Sequence, residues 1–182
     1  AGLETLGSAA FENCSGFTGD LRIPESITIL YGQTFYGCSG LNGNLILHDG
    51  LTFYKPSEYS ADMGIFGNCG FQGELVLPAN ITDIPSRTFA NCKFSSIAEF
   101  PNEIISIGDG AFAGNSRLTG VIVLPEELVS LGVGAFSGCS SLEGVVLPAD
   151  LGLLKSNAFY NCYGLNSIVC KATEPPIVQS GA

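Results

Sequence analysis

The sequence predicts a solenoid of about seven coils, with a parallel β-sheet on one side and short helical turns or loops on the other. Three observations carry that expectation. A phenylalanine returns at Phe11, Phe35, Phe66, Phe89, Phe112, Phe136 and Phe159, at spacings of 24, 31, 23, 23, 24 and 23 residues. The residues around each phenylalanine repeat with it. A period of this length means a unit too small to bury its own apolar face, which therefore stacks on its neighbours.

Each shared position has a physical reason. Five and eight residues before the phenylalanine stand apolar pairs: Leu3 and Leu6, Ile27 and Leu30, Ile81 and Ile84, Ile104 and Ile107, Leu128 and Leu131, Leu151 and Leu154. Only the repeat before Phe66 lacks the pair. Two residues after the phenylalanine is Asn13, Gly37, Asn68, Asn91, Gly114, Gly138 or Asn161. Asn and Gly enter the left-handed backbone region most cheaply, so this position reads as the exit from a short helical turn. One residue later comes Cys14, Cys38, Cys69, Cys92, Cys139 or Cys162, with Asn115 the exception.

A strand pattern follows, Leu-x-x-apolar-x-apolar-Pro, clearest in Leu142, Val145, Leu147 and Pro148 and repeated with variations at Leu21-Ile23-Pro24, Leu75-Leu77-Pro78 and Val121-Val123-Pro125. Proline after the strand ends ladder pairing and turns the coil.

The segments IGDGAFAGNSRLTGVIVLP, LGVGAFSGCSSLEGVVLP and LKSNAFYNCYGLNSIVC resemble the BspA-like leucine-rich repeats of bacterial surface proteins. The resemblance runs from about Leu3 to Cys170 and departs from its own period between Phe35 and Phe66. It lacks the asparagine ladder and long convex helices of ordinary leucine-rich repeats. It implies a leucine-rich-repeat solenoid acting as a surface-displayed adhesion or recognition module, extracellular or on the cell surface, and it supplies no catalytic motif.

Composition bounds the function further. With 46% hydrophobic and 13% charged residues in 182, the chain can bury a long core as one elongated domain, 1–182. Seventeen acidic residues against seven scattered basic ones, a net charge of -10, argue against nucleic acid and anionic membranes as partners. No apolar run approaches the roughly 20 residues needed to insert in a bilayer, and the N-terminus lacks the basic, apolar and small-residue sequence of a signal peptide, as expected if an export signal has been removed from this chain. The chain opens and closes without polar caps, as expected of a fragment or mature portion of a longer protein. Uncapped ends and an apolar strand face also offer routes to self-association.

Six cysteines share one repeat position and Cys170 falls where other repeats place a strand residue such as Leu147. Coils about 4.8 Å apart hold such side chains parallel, which disfavours the disulfide torsion near 90°, so the thiols are expected to be free and buried. No CxxC pair exists and His48 is the only histidine, so no zinc site and no cofactor is expected. His48 beside Asp49 could do acid–base work, but a sequence-adjacent pair rarely has that geometry, and no nucleophile elbow or phosphate loop accompanies it. The expectation is a non-catalytic protein.

Two surfaces are candidates for binding. The longest interval contains an irregular stretch within 48–64 that holds His48, Asp49, Tyr54, Lys55, Glu58, Tyr59 and Asp62. It reads either as a binding loop or as a tolerated insertion, since added loop length costs little entropy. The outward middle positions of the strands are Arg22, Ile46, Val76, Ile122, Val146 and Val169. The last five form an apolar stripe, read either as β-propensity or as a patch that meets a partner. The resulting expectation is adhesion to a host or matrix protein or a glycan, with a structural spacer as the alternative.

Overall fold

The structure is a computed structural model that describes residues 2–54, 64–173 and 177–178. Its strands, in chain order, are β1 (Leu21–Arg22), β2 (Ile29–Leu30), β3 (Leu45–Ile46), β4 (Thr52–Phe53), β5 (Glu74–Leu75), β6 (Asp83–Ile84) and β7 (Ser96–Ile97). They continue with β8 (Ser106–Ile107), β9 (Val121–Val123), β10 (Ser130–Leu131), β11 (Gly144–Leu147), β12 (Leu153–Leu154), β13 (Ser167–Cys170) and β14 (Ile177–Val178). Each coil contributes two strands, and all pairing is parallel between coils. The described residues hold turns and no helix.

The odd-numbered strands form the expected sheet, in three pieces: β1–β3, β5–β7 and β9–β11–β13. The even-numbered strands form a second ladder, β2–β4 and β6–β8–β10–β12–β14, on the side where turns or loops alone were expected. Its inward residues are Leu30, Phe53, Ile84, Ile107, Leu131 and Leu154, so the later member of every apolar pair after Leu3 and Leu6 is a strand residue. These strands are only two residues long and leave no alternation for a sequence to display.

The turn around each phenylalanine makes a third ladder. The N–H groups of Phe11, Phe35, Phe66, Phe89, Phe112 and Phe136 donate to the next coil at 2.8–2.9 Å. The N–H groups two residues on, from Asn13 through Gly138, do the same at 2.6–2.8 Å. Those positions have φ of 54–76° in every repeat, so the Asn/Gly rule reflects a left-handed backbone. The intervening residues bond within the turn, as Glu12 N–H does to Ala9 O and Cys14 N–H to Phe11 O. Alternate amides thus serve the coil and its neighbour, which accounts for backbone donors that a buried turn could not leave unpaired.

The phenylalanines stack in one column. Successive rings from Phe11 to Phe159 lie 5.0–5.8 Å apart with interplanar angles of 5–18°. Phe53, Phe71, Phe94 and Phe100 meet it edge-on. The column is the spine of a core that also holds the inward strand residues.

Register corrects one predicted strand phase. β9 pairs with β11 as Ile122↔Val145 and Val123↔Val146. Ile122 is therefore an inward residue, 5% exposed, and Val123 takes the outward place. Three β-branched residues in a row, Val121-Ile122-Val123, hide the alternation, whereas Leu124-Pro125 matches Leu147-Pro148 and sets the phase. The predicted equivalence of Cys170 and Leu147 is realised in the β11–β13 pair.

Within 48–64 the coil itself continues to Phe53. Leu30 pairs with Phe53, so Leu51 and Phe53 are coil residues that fill the apolar-pair positions in altered form. The eight extra residues fall between Phe53 and Phe66. Lys55, Glu58, Tyr59 and Asp62 lie outside the described residues.

Candidate functional site

On the first sheet the outward column reads Arg22, Ile46, Val76, Ala98, Val123, Val146 and Val169. Val76, Val123 and Val169 are 52–56% exposed, while Ile46, Ala98 and Val146 are half-buried. Val121 adds a further exposed apolar side chain, 57%, at the neighbouring outward position. Four of the five predicted stripe residues, Ile46, Val76, Val146 and Val169, share this face. Ile122 does not; Val123 and Ala98 complete the row in its place. Sequence reasoning missed Ala98 because its strand is followed by an extra residue before the proline.

The residues predicted in the irregular stretch divide. His48 takes the proline place that follows a strand, and its Nε2 is 3.0 Å from the Ile27 carbonyl oxygen, to which it donates. Asp49 Oδ1 accepts the Ala79 amide at 3.0 Å, and the Asp49 carbonyl accepts Asn80 Nδ2 at 3.2 Å. Both are staples between coils, facing different partners, so they form no acid–base pair. Tyr54 is 45% exposed and lies against Tyr31, with ring centroids 5.0 Å apart. It follows β4 in the second ladder, one turn of chain away from the Ile46 column on the first sheet. The stripe and Tyr54 are therefore separate surfaces.

The six repeat-position cysteines form a column of free thiols, and Cys170 is free and exposed. Cys38, Cys69, Cys92, Cys139 and Cys162 each donate from Sγ to the phenylalanine carbonyl of the preceding coil at 3.0–3.3 Å. Asn115 replaces one thiol and donates from Nδ2 to Phe89 O and Phe112 O, both at 2.8 Å. Burial pushes the Cys69 and Cys139 thiols up to about 12 and holds Cys92 well above the ordinary thiol value. Thiols held this far from ionisation are poor nucleophiles and poor metal ligands. Among the described residues no three His, Cys, Asp or Glu side chains converge to hold a metal ion. Among the described residues no helix is long and apolar enough to cross a membrane.

The first sheet breaks between β3 and β5 and again between β7 and β9, and at the second break a groove of about 350 Å³ is lined by Ile97, Ala98, Glu99, Phe100, Val121 and Val123 among others. Two carboxylates, Glu99 and Glu126, line it, with no basic residue in its walls. Lys171 pairs with Glu126 from outside.

The parallel ladders and the phenylalanine spine, repeated coil by coil, define a leucine-rich-repeat solenoid. The family model described as the BspA type leucine rich repeat region matches residues 1–56 and 59–177 in six copies, and the chain belongs to that family. A crystal structure of a leucine-rich repeat protein from Bacteroides ovatus is similar at 26% identity and a TM-score of 0.74, covering 93% of this chain and 40% of that one. A T. pallidum leucine rich repeat protein shares the fold at 22% identity and a TM-score of 0.66, over 85% of this chain and 71% of that one. The chain thus spans about two fifths of the Bacteroides ovatus protein. No curated protein matches by sequence.

Proposed function

We propose that the chain is a non-catalytic recognition module, displayed outside the cell, that binds a neutral or basic macromolecular surface through the outward column of its first sheet. One observation carries the reading: Val76, Val123 and Val169 are each more than half exposed in a row that the fold has no structural need to keep apolar. Outward sheet positions in a solvated face favour polar residues, and parallel stacking makes the row extended, as recognition by solenoids requires. A net charge of -10 steers toward neutral or basic partners. An apolar row suits a protein better than a glycan. Membership of the BspA-type family supports surface display.

A spacer without a ligand is the second reading, supported by His48 and Asp49, whose polar groups are committed to contacts between coils. The two separate in a binding screen against matrix proteins and glycans with Val76→Lys plus Val123→Lys and, independently, Tyr54→Ala. Recognition by the sheet predicts that a captured ligand is lost with the lysine pair and retained with Tyr54→Ala. A ligand held equally by the parent and the folded lysine pair removes the sheet from the account; no ligand at all favours the spacer.

A further inference from the structure

The break between β7 and β9 is a local feature with its own cause. Where other coils run Leu75-Val76-Leu77-Pro78 or Val145-Val146-Leu147-Pro148, this one runs Ile97-Ala98-Glu99-Phe100-Pro101. The extra residue is Glu99, which is exposed, while Phe100 turns inward and meets Phe112 edge-on at 5.8 Å. One added residue in a strand ends its pairing and bends it away from its neighbour.

The consequence is a pair of open edges inside the sheet. β7 ends one piece and β9 begins the next. Below the breach the coils are tied by Thr119, whose N–H and Oγ1 both donate to Ser95 O at 3.0 and 3.1 Å. On the far side they are tied by β8 and β10 in the second ladder. Between those ties β9 pairs only with β11, through Val121, Ile122 and Val123. Its other edge faces the groove, with Val121 and Val123 exposed beside it.

An unpaired edge flanked by apolar side chains is a template for one more strand, and the groove volume is within the roughly 300–1,000 Å³ of ligand sites. The two carboxylates in its walls select the charge. We infer that the breach takes an extended cationic peptide, whose backbone pairs with the free edge of β9 and whose Lys or Arg side chain lies between Glu99 and Glu126. Glu126 exchanges its Lys171 partner for the incoming cation. This inference rests on the recognition reading and specifies a partner class and a place for it.

The probe is the synthetic octapeptide acetyl-(Lys-Val)4-amide, titrated calorimetrically against the intact chain, with amide exchange followed by NMR. Binding is expected to slow exchange at Val121 or Val123. Glu99→Gln plus Glu126→Gln, both at exposed positions, is expected to weaken it about tenfold. The same peptide N-methylated at alternate residues keeps its charge and loses one edge of donors, and is expected not to bind. Absence of binding overturns the inference. So does undiminished binding of the N-methylated peptide, or binding unchanged by the two glutamine substitutions. If the peptide fails while Val76→Lys plus Val123→Lys still abolishes capture of a macromolecule, the breach is excluded and recognition by the sheet stands.

Discussion

Asn91 and Gly114 meet the same demand in adjacent coils, φ of 54° and 75°, and each constrains the other. Asn91 reaches over the next coil, so that a Cβ built at Gly114 would lie 2.1 Å from its Oδ1; Asn13 stands over Gly37 in the same way. Gly114→Ala should cost about 1–3 kcal/mol from left-handed strain and this clash together. In an Asn91→Ala background only the strain remains, and a double-mutant cycle by urea melts should show a coupling of at least about 0.5 kcal/mol. Asn115 offers the opposite experiment. Its Nδ2 is paired, but Oδ1 is buried with no partner, a cost the cysteines at the same position avoid. Asn115→Cys restores the repeat and should raise stability by about 1 kcal/mol, read as a higher urea midpoint at an unchanged slope. These positions were legible as a pattern, Asn or Gly and then Cys, because backbone handedness and size act locally. That Asn91 obliges a glycine 23 residues later was not legible, because the contact crosses coils.

At the scale of the element, the phenylalanine turn is the most regular unit and the strands the least. Phe112 is sandwiched between Phe89 and Phe136 at 5.4 and 5.0 Å and met edge-on by Phe100. Phe112→Ala should destabilise by about 3–5 kcal/mol. Phe159, half-buried at the end of the column, should lose clearly less on the same change. Equal losses in denaturant melts would contradict a column whose strength comes from neighbours on both faces. A large aromatic repeated at one phase shows itself in sequence; a two-residue strand does not. The second ladder escaped reading for that reason, and the β9 phase was misread because three β-branched residues blur a period of two.

Across the whole molecule the buried thiols make an alkaline weak point. Cys69 and Cys139 are raised from an ordinary value of 9.0 to about 12 by desolvation first. Their folded state therefore binds protons that the unfolded chain has released, and the stabilisation is intact below pH 9 and lost progressively up to about pH 12. Each such thiol should remove about 1.4 kcal/mol per pH unit within that window. Denaturant melts from pH 8 to 11, compared with Cys69→Ala plus Cys139→Ala, isolate the contribution: the parent should fall more steeply by about twice that slope. A parallel fall in both proteins would mean that the thiols ionise as easily folded as unfolded. Coils that touch only neighbours spread such local losses along the array, so the melts also report how cooperative the stack is.

The sequence by itself determined the architecture: a period near 23 residues, a stacked phenylalanine column, left-handed Asn and Gly exits, and a thiol at every turn but that of Asn115, all of which follow from local conformational cost and from burial repeated at one phase. It could list apolar outward residues, but not which of Ile122 and Val123 faced water, because only pairing with Val145 and Val146 settles the phase. Only the tertiary structure showed that His48 and Asp49 serve as inter-coil staples, that Tyr54 lies on the other ladder from the Val76 row, and that one extra residue at Glu99 opens the first sheet. Each depends on contacts between residues more than twenty positions apart, which stacking creates and no local pattern encodes.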